Sequence, residues 1–222
     1  IVLAVLVPGH VGAKDKPAPL REELAVLGRP QVLLGLAMTV FGFGGLFAVF
    51  TYVQPILTRL TGFSDAAVSP ILLVFGAGLA IGNVAGGRLA DKGLARALLV
   101  SLGGLAAVLV ALAAVVSIKA LAVALLFVLG IASFATVAPL QLRVLEAAGA
   151  EGRTLASSLN IAAFTLGNAL GAWAGGVTID RGLGLGALPL VAAVITAIGL
   201  LLALWSLRLD RPAVLAAQCP AE

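Results

Sequence analysis

The side chains that could bind a small molecule are uncharged polar and aromatic groups set inside long apolar stretches of the sequence. Amides, hydroxyls and aromatic rings recognise a ligand by hydrogen bonding and stacking, and in apolar surroundings polar groups tend to face the protein interior or water. These residue types predict recognition of a neutral or amphipathic molecule. The candidates for lining a substrate path are Phe47, Tyr52, Gln54, Asn83, Thr136, Asn160 and Asn168.

The sequence carries no motif that would indicate an enzyme. It lacks the H-E-x-x-H of zinc proteases and the G-x-S-x-G of serine hydrolases, and its one histidine, His10, lies in a polar linker. The glycine-rich stretch 182–186 follows no strand pattern, so it is not a nucleotide-binding loop. With one cysteine, Cys219, and no aromatic-basic cluster, we expect no metal, no cofactor and no nucleic-acid partner.

Six stretches contain no charged residue, and each is long enough to cross a bilayer, which takes about 20 mostly apolar residues. They cover residues 30–58, 66–87, 97–118, 120–142, 154–179 and 182–207. The 222 residues are 61% hydrophobic and only 11% charged, against about 25% charged residues in a soluble domain. The sequence predicts an all-α, polytopic membrane protein, with a six-helix transmembrane bundle over 30–207 surrounded by the lipid bilayer.

The basic residues between these stretches indicate the orientation of the bundle. Eleven of the fourteen Lys and Arg residues lie in 8–29, 88–96, 143–153 and 208–222, and the other three are Arg59, Lys119 and Arg181. Because cytoplasmic loops carry the excess of Lys and Arg, the first set is expected to be cytoplasmic. Both ends of the six-helix unit would then face the cytoplasm. We expect the membrane to be a bacterial inner membrane.

The flanking segments are predicted from their composition. Residues 1–7 are apolar but too short to span a bilayer, so we interpret them as the end of a truncated transmembrane helix. Residues 8–29 are interpreted as a cytoplasmic linker and 208–222 as a cytoplasmic tail. Within the linker, 17–29 fits either a short amphipathic helix on the membrane surface or a solvated segment.

Uncharged polar residues are distributed unevenly between the six predicted spans. The first, second, fourth and fifth spans carry most of the Ser, Thr, Asn, Gln and Tyr side chains, whereas the third and sixth carry almost none. Because polar groups avoid lipid, we expect the first, second, fourth and fifth spans to line a path. We expect the third and sixth spans to face lipid. This asymmetry is typical of a bundle built around a central pathway.

The fifth span concentrates these residues on one helical face, which includes Asn160 and Asn168. On the same face Gly167, Gly171 and Gly175 are spaced for close helix packing. Each asparagine fits a cavity wall or an interhelical hydrogen bond. In the first span, the glycines in 41–45 fit either a bend or close packing.

The second and fifth spans share a short pattern. Gly82-Asn83 precedes Gly86-Gly87 and then Asp91 in one, and Gly167-Asn168 precedes Gly175-Gly176 and then Asp180 in the other. The second span is predicted to end on the cytoplasmic side of the membrane, and the fifth is predicted to end on the opposite side. Such a relation predicts two three-helix repeats of inverted topology.

Gly87-Arg88-Leu89-Ala90-Asp91-Lys92, in a predicted cytoplasmic loop, resembles the loop signature G-x-L-A-D-R-x-G-R-[RK] of the major facilitator superfamily. The pattern around 158–176 is similar to the eleventh helix of arabinose efflux permease-like members, in the drug:proton antiporter branch. This chain has Leu94 and Ala95 where the loop signature has Gly and Arg. The resemblance covers 1–211 and implies helices seven to twelve, the C-terminal half of a transporter whose N-terminal six-helix half is missing here.

The resemblance also implies a function and a set of gating residues. It implies a secondary transporter, not an enzyme, that exports a small neutral or amphipathic molecule such as a sugar or drug by proton-coupled alternating access. The gating residues of the loop would be Gly87, Asp91, Lys92 and Arg96, with Asp91 either latching the two halves or capping the next helix. The alternative function is a six-helix membrane scaffold or channel that acts as a dimer.

Overall fold

The computed structural model of the chain describes residues 28–150 and 152–218. Its helices are α1 (Pro30–Phe50), α2 (Asp65–Asp91), α3 (Leu94–Val115), α4 (Lys119–Phe134), α5 (Val137–Ala148), α6 (Arg153–Asp180) and α7 (Leu188–Gln218). A helical turn (Val53–Pro55) and a π-helical turn (Ile56–Leu60) extend α1, and a 3-10 turn (Leu185–Ala187) precedes α7. No strand occurs in the described ranges, and the predicted all-α fold is confirmed. The predictions for 1–7, for nearly all of 8–29 and for 219–222 lie outside the described residues.

Five helical stretches are long and apolar enough to cross a membrane. They are Pro30–Phe50, Asp65–Asp91, Leu94–Val115, Lys119–Ala148 and Leu185–Asp210. The predicted fifth span is α6, whose 28 residues also suffice at about 1.5 Å per residue, but its Ser, Thr and Asn side chains make it less apolar. Helices suit this role because lipid offers no partner for backbone polar groups, which an α-helix satisfies within itself. The chain is a multi-pass membrane protein.

The two ends of the bundle are marked by contacts between residues far apart in sequence. At one end, here called the proximal end, the guanidinium of Arg29 donates a hydrogen bond of 2.8 Å to the carbonyl of Ala148, the last residue of α5. At the other, the distal end, the hydroxyl of Thr61 donates to the carbonyl of Val116 over 2.8 Å. Alternate connections therefore lie at opposite ends, as the predicted spans require.

The helix α1 is the central element of the bundle, and 61% of the residues in its most apolar stretch are buried. It packs mainly against α6 and α7, while α2 packs against α4 and α3 against α7. A Cβ added at Gly42 would lie 2.7 Å from a methyl group of Leu102, and one at Gly44 would lie 2.7 Å from the carbonyl oxygen of Gly167. Since α1 is unbroken from Pro30 to Phe50 and these glycines meet other helices at contact distance, they serve close packing.

The helix α3 contributes a buried leucine stripe, and its opposite side is exposed. Its fully buried leucines follow a spacing of three and four residues, typical of one helical face: Leu98, Leu102, Leu105, Leu109 and Leu112. Of the residues in the most apolar stretch of each helix, 33% are buried in α3 and 39% in α7, against 28% in α2. Burial within this bundle therefore does not distinguish the two helices predicted to face lipid from α2.

The first and fourth spans are each broken at a matching position. Phe50-x-x-Val53-x-Pro55 recurs as Phe134-x-x-Val137-x-Pro139, and in both copies the two residues between Phe and Val form a turn that interrupts the helix. A proline lacks the N–H that would bond the carbonyl four residues earlier, which weakens the helix at that point. Together with the Gly-Asn pattern of α2 and α6, this pairing agrees with two three-helix repeats.

Candidate functional site

Six phenylalanine rings form one connected array across α1, α2, α4 and α6, which we name the aromatic wall. Its members are Phe43, Phe47, Phe50, Phe75, Phe134 and Phe164. Ring centroids are 5.0 Å apart for Phe43 and Phe164, in an edge-to-face arrangement, and 5.1 Å for Phe50 and Phe75, which stack. Both separations are within the range of favourable aromatic pairs. The four helices of the wall belong to the four spans that were predicted to line a path.

The wall is partly core and partly open surface. Phe43 is 6% exposed and Phe75 is 4% exposed, so these two rings are anchored in the interior. Phe47, Phe50, Phe134 and Phe164 are half-buried and pack against that core. An apolar surface held by buried anchors is suited to contact the apolar part of a ligand or another protein surface. Of the wall residues, only Phe47 was among the sequence-predicted lining residues.

A buried polar network lies one helical turn from the wall on its proximal side. The hydroxyl of Thr39 donates to Asn160 Oδ1 over 2.7 Å, and Asn160 Nδ2 donates to Gln141 Oε1 over 2.6 Å. Gln141 Nε2 then donates to the hydroxyl of Ser157 over 2.9 Å. Thr39 precedes Phe43 by four residues and Asn160 precedes Phe164 by four, so the network lies next to the wall on both helices. Its polar groups satisfy one another, which makes it a device for joining α1, α5 and α6.

Two predicted lining residues lie in the interior of the bundle. Asn160 and Thr136 are both 0% exposed. Asn160 is bonded on both sides within the network, and the hydroxyl of Thr136 donates to the carbonyl of Ser133 over 2.6 Å at the break between α4 and α5. Since neither presents a polar group to an open surface, both belong to the packing of the bundle. For Asn160, the interhelical hydrogen bond is the alternative that the structure shows.

Asn168 differs from Asn160 although both lie on the same face of α6. The residue is half-buried, and its Oδ1 is buried without a hydrogen-bond partner in the structure. It follows Phe164 by four residues, so the two side chains are neighbours on the helix surface. A buried carbonyl oxygen without a donor is costly unless something else supplies one. Asn168 thus carries a buried acceptor that no group in the described part of the bundle satisfies, one helical turn from Phe164.

The other predicted lining residues sit around the wall at different depths. The hydroxyl of Tyr52 donates to the carbonyl of Ala172 over 3.1 Å, so this half-buried residue ties the end of α1 to α6. Gln54, in the turn beyond α1, and Asn83, in α2, are exposed. Phe47, Tyr52 and Asn168 therefore lie on or beside the packed pair α1 and α6. Gln54 and Asn83 lie on open surfaces of neighbouring elements.

The three glycines predicted to pack lie along the contact of α6 with α1. A Cβ added at Gly167 would lie 2.6 Å from the carbonyl oxygen of Val40, and one at Gly171 would overlap the carbonyl oxygen of Gly44. At Gly175 the nearest atom is Tyr52 Cε2, at 2.6 Å. These contacts bring the α1 and α6 backbones together, which places Phe43 and Phe164 on adjoining helices within ring contact.

The predicted gating residues lie at the proximal end, around the connection of α2 to α3. Asp91 is the last residue of α2, and Asp91, Lys92 and Arg96 are all exposed. The first residue before α3 is Gly93, whose φ of 144° favours glycine, and no side chain caps this helix. The alternative that Asp91 caps α3 is therefore wrong. Gly87 lies half-buried within α2, with no atom within 4 Å of an added Cβ.

One charged residue was misplaced by the sequence analysis. Arg143 was assigned to a loop, yet it lies within α5 and is only 7% exposed. Its Nη2 donates to Gln31 Oε1 over 2.9 Å and to the hydroxyl of Ser206 over 2.6 Å, and lies 2.8 Å from Asp210 Oδ2. A charge ordinarily marks the end of a span, so a buried guanidinium beyond residue 142 was read as a boundary.

Comparison with known proteins identifies one family to which this chain is similar. The model of the Major Facilitator Superfamily matches residues 2–159 and 55–217. The chain is 40% identical over 200 residues to the inner membrane transport protein YdhP of Escherichia coli K12, covering 90% of the chain and 50% of that protein. It is 33% identical over 178 residues to the putative transporter AraJ of the same bacterium, covering 80% and 45%.

A further similarity is to the chloramphenicol resistance protein of Streptomyces lividans. The two sequences are 37% identical over 164 residues, which is 73% of the chain and 41% of that protein. The chain thus spans about half the length of the relatives it matches. The family match covers more than half of the chain, in two overlapping segments.

Proposed function

The chain belongs to the major facilitator superfamily, and we propose that it is one half of a secondary transporter that moves a small neutral or amphipathic molecule by alternating access. The observation that carries this proposal is the aromatic wall with Asn168 beside it. The wall is built by α1, α2, α4 and α6, and those helices offer the ligand an apolar surface and one unpartnered acceptor.

Recognition would combine two kinds of contact. The half-buried rings of Phe47, Phe50 and Phe164 would contact the apolar part of the substrate, and Asn168 Oδ1 would accept a hydrogen bond from its hydroxyl or amide donor. The site would be completed by a second six-helix half, N-terminal to this one, that packs against the open side of the wall. Substrate sites between two such halves near the bilayer midplane suit alternating exposure to either side.

We propose that transport is proton-coupled efflux. One relative is named an inner membrane transport protein and another a chloramphenicol resistance protein, which favours export of an uncharged drug-like compound. In the described part of the chain, Asp65, Asp91, Glu146 and Asp180 stand at or near helix ends, and Asp210 ends the apolar stretch Leu185–Asp210 of the last span. A proton carrier at the depth of the wall would therefore have to be supplied by the other half.

The proximal end would face the cytoplasm of a bacterial inner membrane. The exposed basic residues Arg88, Lys92 and Arg96 lie at this end, as the excess of positive charge in cytoplasmic loops requires. Asp91 is exposed beside them and is free of any role in capping α3. We propose that Gly87, Asp91, Lys92 and Arg96 form the gating loop, with the Asp91 carboxylate meeting a helix N-terminus of the other half.

The proposal is tested by the accumulation of chloramphenicol, and of a panel of neutral aromatic antibiotics, in a bacterium that lacks its own efflux pumps. The complete coding sequence that contains this chain is expressed as wild type, Asn168→Ala or Phe47→Ala. We expect the wild type to lower accumulation of at least one compound, and each variant to lose most of that effect at equal membrane expression.

Matched controls separate a binding role from general damage. Val194→Ala changes an exposed residue of α7, a helix that contributes no ring to the wall, and should leave export unchanged. Export that is unaffected by Asn168→Ala and Phe47→Ala would remove these residues from the site. Absence of export by the wild type, with solute flux through liposomes that contain only a dimer of the six-helix chain, would favour the scaffold or channel function instead.

A further inference from the structure

A groove of about 800 Å³ lies between α3 and α7, and we name it the alanine groove. It is formed by 106–111 of α3 and 190–197 of α7, and five of its eight lining residues are alanines. Two of the larger lining residues, Val110 and Leu190, are 52% and 50% exposed. The groove therefore opens to the outside of the bundle, on the two helices that contribute no ring to the aromatic wall.

The alanine groove begins close to the distal end of the bundle. Leu190 is the third residue of α7, and Ala111 lies four residues before Val115 at the end of α3, which is about 6 Å along the helix. The wall formed by 190–197 is about 10 Å long at the same rise per residue. A flexible chain that entered at the distal surface would therefore run inward for about two helical turns.

The connection between α1 and α2 links the distal ends of both groove walls. Thr61 of this connection donates to the carbonyl of Val116, just after α3, over 2.8 Å. Its π-helical turn (Ile56–Leu60) packs against the 3-10 turn (Leu185–Ala187) that leads into α7. Residues of this connection are therefore placed at the distal mouth of the groove.

Two exposed basic residues lie at this mouth. Arg59 is on the π-helical turn, and Lys119 begins α4 three residues after Val116. Lys119 Nζ lies 5.4 Å from the centre of the Phe63 ring, a cation–π contact that holds the ammonium beside the same connection. Within the described ranges neither basic residue forms an ion pair, although Asp65 begins α2 nearby. The mouth therefore presents two positive charges next to an apolar groove.

We propose that the alanine groove holds one acyl chain of an anionic phospholipid, and that Arg59 and Lys119 bind its phosphate. Lipid chains are as apolar as the groove, so the groove provides a fitting surface but cannot select one lipid headgroup over another. Selection comes from the charges at the mouth, because each basic residue near a membrane surface favours anionic lipid about fivefold. Phosphate and chain would then both lie at the depths they occupy in a bilayer.

The charges at the mouth disfavour a second copy of the chain as the occupant. Copies inserted in one membrane share one orientation, so a two-fold dimer through α3 and α7 would place Arg59 and Lys119 of both copies at the same end. Like charges brought together in this way repel, whereas a phosphate is attracted by all of them. This inference is independent of the proposed function, since it requires no transport.

Photo-crosslinking of the purified complete protein in detergent micelles tests the lipid site. The probe is phosphatidylglycerol with a diazirine in the upper part of one acyl chain, and its counterpart without net charge is phosphatidylethanolamine with the same chain. Peptide mass spectrometry compares adducts in 106–111 and 190–197 with those in 198–205, a stretch of α7 that also exposes apolar side chains. We expect phosphatidylglycerol to label the groove segments at least about fivefold more than phosphatidylethanolamine does.

Matched variants separate the headgroup contact from the chain contact. Arg59→Gln and Lys119→Gln should each lower the phosphatidylglycerol labelling of the groove about fivefold, whereas Arg208→Gln, an exposed charge at the other end of α7, should leave it unchanged. Ala111→Phe should lower the labelling by both lipids because the ring occupies the groove. Val100→Phe adds the same ring to an exposed position of α3 outside the groove and should have no effect.

Three results would overturn the lipid site. Equal labelling by the two lipids, or labelling that survives Arg59→Gln combined with Lys119→Gln, would remove the phosphate contact. Labelling unchanged by Ala111→Phe would place the chain outside the groove. A dimer detected by light scattering, with no adduct in either groove segment, would assign the groove to a second copy. All of these readouts are independent of export, so a protein that exports nothing but labels as expected would keep the lipid site and remove the proposed function.

Discussion

Replacing Gly171 by alanine tests whether the α1–α6 contact holds the bundle together. The added Cβ would overlap the carbonyl oxygen of Gly44 and would lie 3.0 Å from the Gly44 carbonyl carbon and 3.2 Å from the Ala48 nitrogen. All three atoms are backbone, so no side chain can rotate away and the two helices must separate. Overpacking of this kind costs about 1–3 kcal/mol, while alanine gains up to about 1 kcal/mol in helix propensity over glycine.

The net expectation is a loss of up to about 2 kcal/mol in the free energy of unfolding, or a fall of up to about 8 °C in Tm for a chain of this size. The matched control is Gly104→Ala in α3, because a Cβ there has no atom within 4 Å. Only the propensity gain applies to the control, so its Tm should rise by about 2–4 °C. Thermal unfolding of the purified protein in detergent, followed by circular dichroism, gives both values. A Gly171→Ala variant whose Tm rises as much as that of Gly104→Ala would refute the close contact.

Three further substitutions, two of them with a control, test the polar network, the aromatic wall and the Tyr52 hydrogen bond through the free energy of unfolding in mixed micelles. Asn160→Leu should cost about 1–3 kcal/mol because Gln141 Oε1 loses its buried donor, whereas Asn83→Leu, at an exposed position of α2, should change stability by less than about 0.5 kcal/mol; equal effects would contradict the network. Phe43→Ala should cost about 3–5 kcal/mol, since this 6% exposed ring contacts three others, and half-buried Phe47→Ala should cost less; the reverse order would contradict the assignment of Phe43 as the anchor. Tyr52→Phe should cost about 0.5–1.5 kcal/mol through the lost bond to Ala172, and an unchanged value would show that this bond does not stabilise the bundle.

The membrane-spanning helices could be predicted from the sequence because the bilayer imposes a single strong constraint. Any stretch such as 97–118 that lacks charge for about 20 residues has few alternatives to a helix across the membrane. The asymmetry between spans was also informative, since the aromatic wall is built by the four spans richest in polar residues. The packing role of the glycines in the fifth span followed from their spacing along one helical face.

The partners of individual side chains could not be predicted in the same way. A helical face shows that Asn160 and Asn168 point in similar directions, but it does not show what lies opposite each one. Thr39 and Gln141 reach Asn160 only because α1 and α5 pack on that part of α6. Asn168, two turns further along, meets no donor. The distinction between an asparagine that is bonded within the bundle and one whose oxygen has no partner therefore depends on tertiary packing.

The buried contacts of Arg143 could not be predicted because charge was used to mark where spans end. The fourth span continues to Ala148 and the last helix continues to Gln218, so a buried Arg143 finds Asp210 on α7. Pro139 was the available signal for the break between α4 and α5, because a proline leaves one helical carbonyl without its donor. Its repetition of the pattern around Pro55 is visible only when the two spans are aligned as repeats.

The central claim, that α1, α2, α4 and α6 line a water-accessible path, is tested most directly by cysteine labelling of the complete protein in native membranes. After Cys219 and any cysteine outside this chain are replaced by serine, single cysteines replace the predicted lining residues Gln54, Asn83 or Asn168, and Val100 or Val194 on the exposed sides of α3 and α7. A membrane-impermeant maleimide reacts with the thiolate, which forms where water reaches the thiol. We expect labelling at the first three positions and none at the last two. Equal labelling at all five positions, or labelling at Val100 and Val194 alone, would contradict a path lined by these helices.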